Sequence, residues 1–142
     1  MKKLLLFILA CSISLAGFSQ DNDYKWLVGA DTGAMYMSAD GANAGNITAN
    51  ALYSVTDDLM LGGSISFNFG DAEGESIFLA GRYYLGDIFA AASYDLGDSD
   101  TGADIGLGYG WDVADNVEFS PQLSYNLDFE VTTLAIGFAI RF

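Results

Sequence analysis

The chain has 142 residues, with 5 Lys and Arg against 19 Asp and Glu and no His, and this composition excludes several functional classes. Without His there is no Ser-His-Asp triad, no His metal ligand and no imidazole acid-base catalysis. The formal net charge of -14 argues against a nucleic-acid partner, because binding to phosphate backbones depends on cationic side chains. With 51% apolar and 17% charged residues, the chain is too apolar for disorder and too poor in charge for a fully solvated surface.

The first 19 residues are predicted to be a secretory signal peptide. Two lysines precede residues 4–16, an unbroken run of apolar and small residues, and Gly17 and Ser19 are small residues where a signal peptidase reads them. The run of 13 residues is shorter than the roughly 20 that a membrane-spanning helix needs. Cys11, the one cysteine, lies in a stretch that loosely resembles a lipoprotein processing box, so lipidation there is the alternative.

From residue 25 onward, apolar residues alternate with small or polar ones, and no stretch shows a convincing helical period. The final strand is the clearest case, because five apolar residues alternate there with three small residues and an arginine. The pattern predicts eight strands of about ten residues, the length that crosses a bilayer when tilted. They are Lys25–Asp31, Asn46–Val55, Leu59–Phe69, Ser76–Leu85, Ile88–Leu96, Asp104–Val113, Val117–Leu127 and Leu134–Phe142.

Short and long connections alternate along the predicted strands. Three short turns, at residues 56–58, 86–87 and 114–116, separate longer polar connections at 39–42, 70–75, 97–102 and 128–131. An up-and-down barrel in an outer membrane has short periplasmic turns and longer external loops, with both chain ends in the periplasm. The fold class is therefore predicted to be all-β: an eight-stranded antiparallel up-and-down transmembrane β-barrel formed by residues 20–142.

The apolar face of each strand is predicted to point outward. It is crowded with large side chains that would overfill an eight-stranded lumen, whereas the opposite face carries mostly small and polar residues. Aromatic residues also fall into two bands, as membrane interfaces favour. Pro121 lies on the outward face and cannot donate a ladder hydrogen bond, so we expect a local bulge there. The predicted aromatic girdle is Trp26, Tyr36, Tyr53, Phe67, Tyr83, Tyr94, Tyr109, Trp111 and Tyr125.

The signal peptide, the amphipathic strands and the terminal segment together resemble the small outer-membrane barrels of the outer membrane protein A and X type. The resemblance covers essentially all of the chain after the signal peptide. Its most specific part is a terminal phenylalanine with alternating apolar residues upstream, which is similar to the signal that barrel-assembly machinery reads. The resemblance implies periplasmic chaperones and the assembly machinery as partners. The assembly-signal residues are Leu134, Ile136, Phe138, Ile140 and Phe142.

Charged residues on the inward face form the first candidate site. All three cations beyond residue 20 belong to it, and opposite charges can meet across a narrow lumen of low dielectric. One interpretation is a structural plug in which buried charges neutralise one another, with Arg82 facing Asp112 and Glu118. The alternative is a small cation-preferring pore. The predicted lumen charge network is Lys25, Asp31, Arg82, Asp112, Glu118 and Arg141.

Acidic side chains form a second group, at the long connections. Asp98 and Asp100 alternate like the start of a calcium loop, but the glycine is misplaced and the distant Glu is missing, so they are weak metal candidates. A solvated surface is the simpler interpretation, and the alternative is that these carboxylates gather divalent cations and bridge to lipid headgroups. For catalysis, the one candidate carboxylate pair is Asp95 with Asp104, and no enzyme activity is expected.

The sequence thus favours an outer-membrane barrel with a structural or interfacial role and a polar, charge-plugged lumen. Outer-membrane lipids are its expected surroundings, and no cofactor or nucleic acid is expected. A small cation-preferring pore is the first alternative. A soluble secreted barrel that binds an apolar ligand is the second.

The mature chain is expected to begin at Gln20, because Gly17 and Ser19 are the small pair nearest the end of the apolar run. Intact-mass or amino-terminal analysis of the exported protein measures this. A mature end at a lipidated Cys11 would contradict the prediction and add a lipid anchor.

Overall fold

The computed structural model describes residues 25–37, 43–70, 73–97, 102–128 and 130–142. The predicted signal peptide lies outside the described residues. Among the residues that are described, no helix is long and apolar enough to span a membrane. The strands are β1 (Trp26–Met37), β2 (Asn43–Ser54), β3 (Leu59–Gly70), β4 (Gly74–Leu85), β5 (Ile88–Asp95), β6 (Ala103–Tyr109), β7 (Trp111–Ala114), β8 (Val117–Asn126) and β9 (Val131–Arg141).

These nine segments form one closed antiparallel barrel with eight strand positions. Each segment pairs with its neighbour in the chain from β1 to β6, and β9 pairs with both β8 and β1. β6 and β7 both pair with β8 and follow one another along it, so together they occupy a single position. The predicted eight-stranded up-and-down barrel is therefore confirmed.

The pairing of β1 with β9 closes the barrel. It runs without a register shift from Leu27 opposite Arg141 to Met37 opposite Val131. Beyond β9, the carbonyl of Phe142 accepts hydrogen bonds from the N–H groups of Lys25 at 2.6 Å and Trp26 at 3.0 Å. The Phe142 N–H in turn donates to the Trp26 carbonyl at 2.9 Å. Closure removes the unpaired strand edges that lipid cannot satisfy.

The barrel has two different ends. At the turn end lie both described chain ends, Lys25 and Phe142, and the connections at residues 55–58, 86–87 and 115–116. The opposite end, called the loop end below, carries the other connections. The predicted strict alternation of short and long connections is wrong at one pair, because three residues separate β3 from β4 at the loop end and four separate β2 from β3 at the turn end. The strands reach further toward it than the sequence predicted, since β1 continues to Met37 and β9 already begins at Val131. Gly86 fits its two-residue turn because its φ of 70° lies in the left-handed region.

The bulge predicted at Pro121 is not found. β8 passes through Pro121 in regular register with β9. The interruption lies in the facing strand, where pairing with β8 ends at Gly108 and resumes at Trp111. Proline has no N–H for the residue opposite, so the ladder loses a bond there. On the other side of this strand, the Gly110 N–H donates to the Asp87 carbonyl at 2.7 Å, which continues the β5–β6 pairing into the β4–β5 turn.

Alternation along each strand separates an apolar outer face from a small and polar inner face. Leu107 and Trp111 are 64% and 62% exposed on the outside, whereas inward-facing Ser66 and Ser120 are buried. A soluble barrel has the reverse arrangement, with apolar residues inside. The outer surface is therefore suited to hydrocarbon, as predicted. Other large outward side chains that are exposed include Ile65, Ile77, Leu79, Ile88, Ile105, Leu123, Leu134, Ile136 and Phe138.

Deleting Phe142 is expected to reduce strongly the yield of folded barrel on refolding into detergent, because it removes the hydrogen bonds that fasten the end of β9 to β1. Phe142→Leu keeps these backbone bonds and an apolar side chain, and is the matched control. The heat-shifted mobility of the folded form on gels measures both. A deletion variant that refolds at the parental yield would show that closure does not depend on this contact.

Candidate functional site

The turn-end half of the lumen is filled by an apolar layer that the sequence interpretation missed. Leu27, Leu52, Met60 and Ala139 form one buried cluster, with Ala80 and Tyr84 packed against it. The signal was present in the sequence, because strict alternation places these residues on the inward face. The lumen is therefore polar only in part, and the prediction of a polar lumen is wrong at this depth.

Phe89 completes this layer and is fully buried. It faces Gly108 across the β5–β6 pair. A Cβ atom at Gly108 would come within 2.8 Å of the Phe89 ring, so the glycine is required for the ring to fit. Phe89 also packs against Tyr84, with ring centroids 5.3 Å apart. An eight-stranded lumen is just wide enough for inward side chains, and here one large ring opposite a glycine fills it.

A chain of ion pairs crosses the lumen beside this layer. Arg82 lies 3.2 Å from Glu118 and 3.6 Å from Asp31. Arg141 contacts the other oxygen of Glu118 and lies 2.9 Å from Asp112. The chain thus alternates in sign along its length: Asp31, Arg82, Glu118, Arg141, Asp112.

Glu118 is the centre of this chain and is fully buried. Its carboxylate accepts hydrogen bonds from the guanidinium groups of Arg82 and Arg141. The Tyr84 hydroxyl lies 3.2 Å from both carboxylate oxygens. Removing a carboxylate from water is costly unless charged partners and hydrogen bonds replace the lost hydration, and Glu118 has both.

Arg82 joins the ion pairs to the apolar layer. It is 5% exposed, and its guanidinium carbon lies 4.5 Å from the centroid of the Phe89 ring. A guanidinium over an aromatic face gains a favourable cation–π contact in addition to its salt bridges. Charge, ring and apolar side chains therefore form one continuous plug, defined as Leu27, Leu52, Met60, Arg82, Tyr84, Phe89 and Glu118.

Two predicted contacts of the lumen charges are wrong. Arg82 was expected to face Asp112 as well as Glu118, but its second partner is Asp31, and Asp112 pairs with Arg141. Lys25 was placed in the network, but its side chain is exposed at the start of β1, and it takes part in none of the ion pairs among the described residues.

The loop-end half of the lumen contains a cavity of about 440 Å³. Arg82 and Leu52 lie at its floor, and Glu73 and Glu75 line its rim. Its walls carry many hydroxyl and amide side chains. These include Asn46, Thr48, Asn50, Ser64, Ser66, Asn68, Ser76, Ser93, Gln122, Ser124, Asn126 and Thr133.

The aromatic residues of the predicted girdle lie on the outer face wherever their side chains are described. Trp26 and Tyr53 contact edge to face at the turn end, with ring centroids 5.0 Å apart. Tyr36 belongs to β1, and its side chain lies outside the described part of the structure. Phe67 is half-buried. The exposed members are Trp26, Tyr53, Tyr83, Tyr94, Tyr109, Trp111 and Tyr125.

The predicted assembly-signal residues line the outer face of β9 and its end. Leu134, Ile136 and Phe138 are exposed, whereas Ile140 and Phe142 are half-buried. Phe138 contacts Phe119 on β8, with ring centroids 5.1 Å apart. How assembly machinery reads these residues stays a prediction.

The remaining acidic candidates are not arranged for chemistry in the described residues. Asp98 and Asp100 lie outside them, and no group of three potential metal ligands occurs within them. Asp95 caps its own turn by accepting a hydrogen bond from the Gly97 N–H at 2.7 Å. Asp104 accepts one from the Ser93 hydroxyl at 3.4 Å. Each carboxylate therefore has a separate structural partner.

Solved barrels of the same architecture include two designed proteins and one natural surface protein. A de novo designed transmembrane β-barrel matches with a TM-score of 0.66 at 18% identity, over 83% of this chain and 95% of that chain. The designed barrel TMB2.3, solved by NMR, matches with a TM-score of 0.59 at 18% identity, over 87% and 98%. Neisserial surface protein A (NspA) matches with a TM-score of 0.52 at 20% identity, over 82% and 97%.

The fold is that of a transmembrane β-barrel. At these identities the likeness concerns the fold alone. No protein-family model matches the chain, and neither does any curated protein sequence.

Replacing Arg82 by Ala is expected to destabilise the folded barrel by about 3 to 5 kcal/mol, because the buried Glu118 loses a charged partner. Asp112→Asn is the control, since Asp112 is 61% exposed and a solvated ion pair contributes about 1 kcal/mol or less. Urea unfolding in detergent, followed by heat-shifted mobility, compares the two. If both variants lost an equally small amount of unfolding free energy, water would reach Glu118 and the lumen would be hydrated at this depth.

Proposed function

We propose that this chain is an integral outer-membrane β-barrel with a structural and interfacial role rather than an enzyme. The proposal rests on two features that occur together in this barrel. The outer surface is apolar with bands of aromatic residues, and the turn-end half of the lumen is filled by the plug. The outer surface supports residence in a bilayer, and the plug supports a role that does not require conduction. The predicted signal peptide adds an export route, which is needed to reach an outer membrane.

Both chain ends at the turn end support a periplasmic position for the mature termini. In barrels of this class the short turns and the termini share the periplasmic side. The loop end then faces outward, with its acidic connections at the cell surface. Lipids are the first partner in this proposal, and the assembly machinery and periplasmic chaperones act before insertion.

The plug argues against the pore alternative. Phe89, Leu27 and Leu52 are buried inside the turn-end lumen, and Arg82 is held between two carboxylates. An ion would have to displace an apolar layer and a paired charge to pass. The soluble alternative requires a polar exterior, but the large apolar side chains of this barrel are exposed on its outer face.

The parent protein is expected to fractionate with outer membranes, to show heat-shifted mobility and to give no sustained current in planar bilayers. The double variant Arg82→Ala with Phe89→Ala removes the centre of the plug and is expected to conduct measurably once folded. Leu107→Ala, a substitution on the outer face, is the control and should give no sustained current. Steady cation-selective current from the parent would favour the pore, and a parent that is folded and monodisperse without detergent would favour the soluble barrel.

A further inference from the structure

The loop-end cavity has the size and shape of a binding site that the structural role does not use. Its volume of about 440 Å³ falls within the usual range for small-molecule pockets, roughly 300 to 1,000 Å³. It runs along the barrel axis from the rim residues Glu73 and Glu75 to the floor at Arg82 and Leu52. A molecule that enters it meets a closed end, so the cavity is suited to retention rather than passage.

The wall formed by β2 and β3 contains buried hydrogen-bond acceptors that have no partner. The Oδ1 atoms of Asn46, Asn50 and Asn68 are buried and have no hydrogen-bond partner. Asn46 and Asn68 face one another across the strand pair. Asn50 is 8% exposed, and its orientation is fixed because its Nδ2 donates to Asp31 at 2.8 Å. Buried acceptors without partners are rare in folded proteins, and small rotations of Asn46 and Asn68 would present their acceptors to a ligand that supplies N–H donors.

The charge of the lining is negative. Asp31, Asp104, Glu73 and Glu75 line the cavity, and Arg82 is the one cationic residue among the described lining residues. Its charge is already engaged by Asp31 and by Glu118. The remaining carboxylates are spread from the rim through Asp104 on the wall, so the potential along the cavity favours a cation.

Phe78 supplies an aromatic surface to the lining, which also contains apolar residues such as Leu52 and Val131. It faces Ser64 on β3 and Asp95 on β5 in the strand register. An aromatic ring beside carboxylates suits a cation that also carries methylene groups, because the ring contacts both the positive charge and the carbon chain. A bare metal ion would not use this surface, and the described residues contain no group of three potential metal ligands.

We propose that the loop-end cavity binds a linear organic polyamine, with one ammonium group at Asp104 and another at the acidic rim. The carbon chain lies against Phe78, and the N–H donors face the amide and hydroxyl wall. The proposal rests on the closed barrel and its cavity, and it holds whichever membrane contains the protein. A polyamine bound in the cavity would place a small cation at the loop end and leave the plug unchanged.

Isothermal titration of the folded barrel in detergent with spermidine tests the proposal, and heat-shifted mobility verifies folding of each variant. Saturable binding by the parent is expected. Asp104→Asn keeps the shape of the side chain, removes its charge and is expected to weaken binding at least about tenfold, as the loss of a charge-assisted hydrogen bond does. Asp57→Asn, which makes the same charge change on an exposed residue of a turn-end connection, is the matched control and should bind like the parent.

Sorbitol and Mg²⁺ are the competing probes. Tighter binding of sorbitol than of spermidine would overturn the proposal in favour of a neutral polyol site. Equal weakening by Asp104→Asn and Asp57→Asn, or complete displacement by millimolar Mg²⁺, would overturn it in favour of general attraction to an acidic surface. Absence of spermidine binding by a folded parent would overturn the proposal. Failure of the barrel to fractionate with outer membranes would affect the proposed role without changing these titrations.

Discussion

Closure of the β1–β9 pair is the constraint on which the rest of this structure depends. In hydrocarbon, every backbone N–H and C=O must find a partner within the protein, and a sheet with a free edge cannot meet that requirement. The continuous register from Leu27 opposite Arg141 to Met37 opposite Val131 meets it. Once the sheet is closed, the two-residue period of each strand sends alternate side chains to lipid and to the lumen. The composition of the two faces follows from these two environments.

The narrow lumen then determines which inward residues can coexist. Eight strand positions leave space for side chains but not for an open channel where those side chains are large. At the turn end, Phe89 is accommodated because Gly108 lies opposite, and Glu118 lies against Gly110, where a Cβ would approach to 2.9 Å. Small residues on one strand therefore make room for large ones on another. The plug is a property of several strands together, and no single strand contains it.

The two halves of the lumen differ in what fills them. The turn-end half combines apolar packing with ion pairs that involve fully buried Glu118. The loop-end half has smaller inward residues on β2 and β3, such as Ser64 and Ser66, and retains a cavity. A barrel built this way is closed toward one side of the membrane and hollow toward the other. Structural and ligand-binding roles can thus occupy separate parts of one lumen.

The sequence by itself determined the strand count and the direction of each face. These features are local, since a period of two and a cluster of turn residues can be recognised without knowing which strands meet. It also placed Arg82, Arg141 and Glu118 on the inward face, where the structure has them. The interruption at Gly110 was not predictable from Pro121 alone, because its position depends on the residue opposite in the neighbouring strand.

Only the tertiary structure decided which inward residues meet across the lumen. Arg82 reaches Asp31 and Glu118, and Asp112 pairs with Arg141 instead. These partners depend on the stagger between strands around the closed barrel, which fixes the depth of each side chain and is not encoded in any one strand. The contact of Leu27 and Leu52 with Ala139 likewise depends on closure, because it brings β9 beside β1. The alternation of inward and outward side chains is a property of each strand along its own length. The stagger between strands around the barrel is a property of the closed sheet.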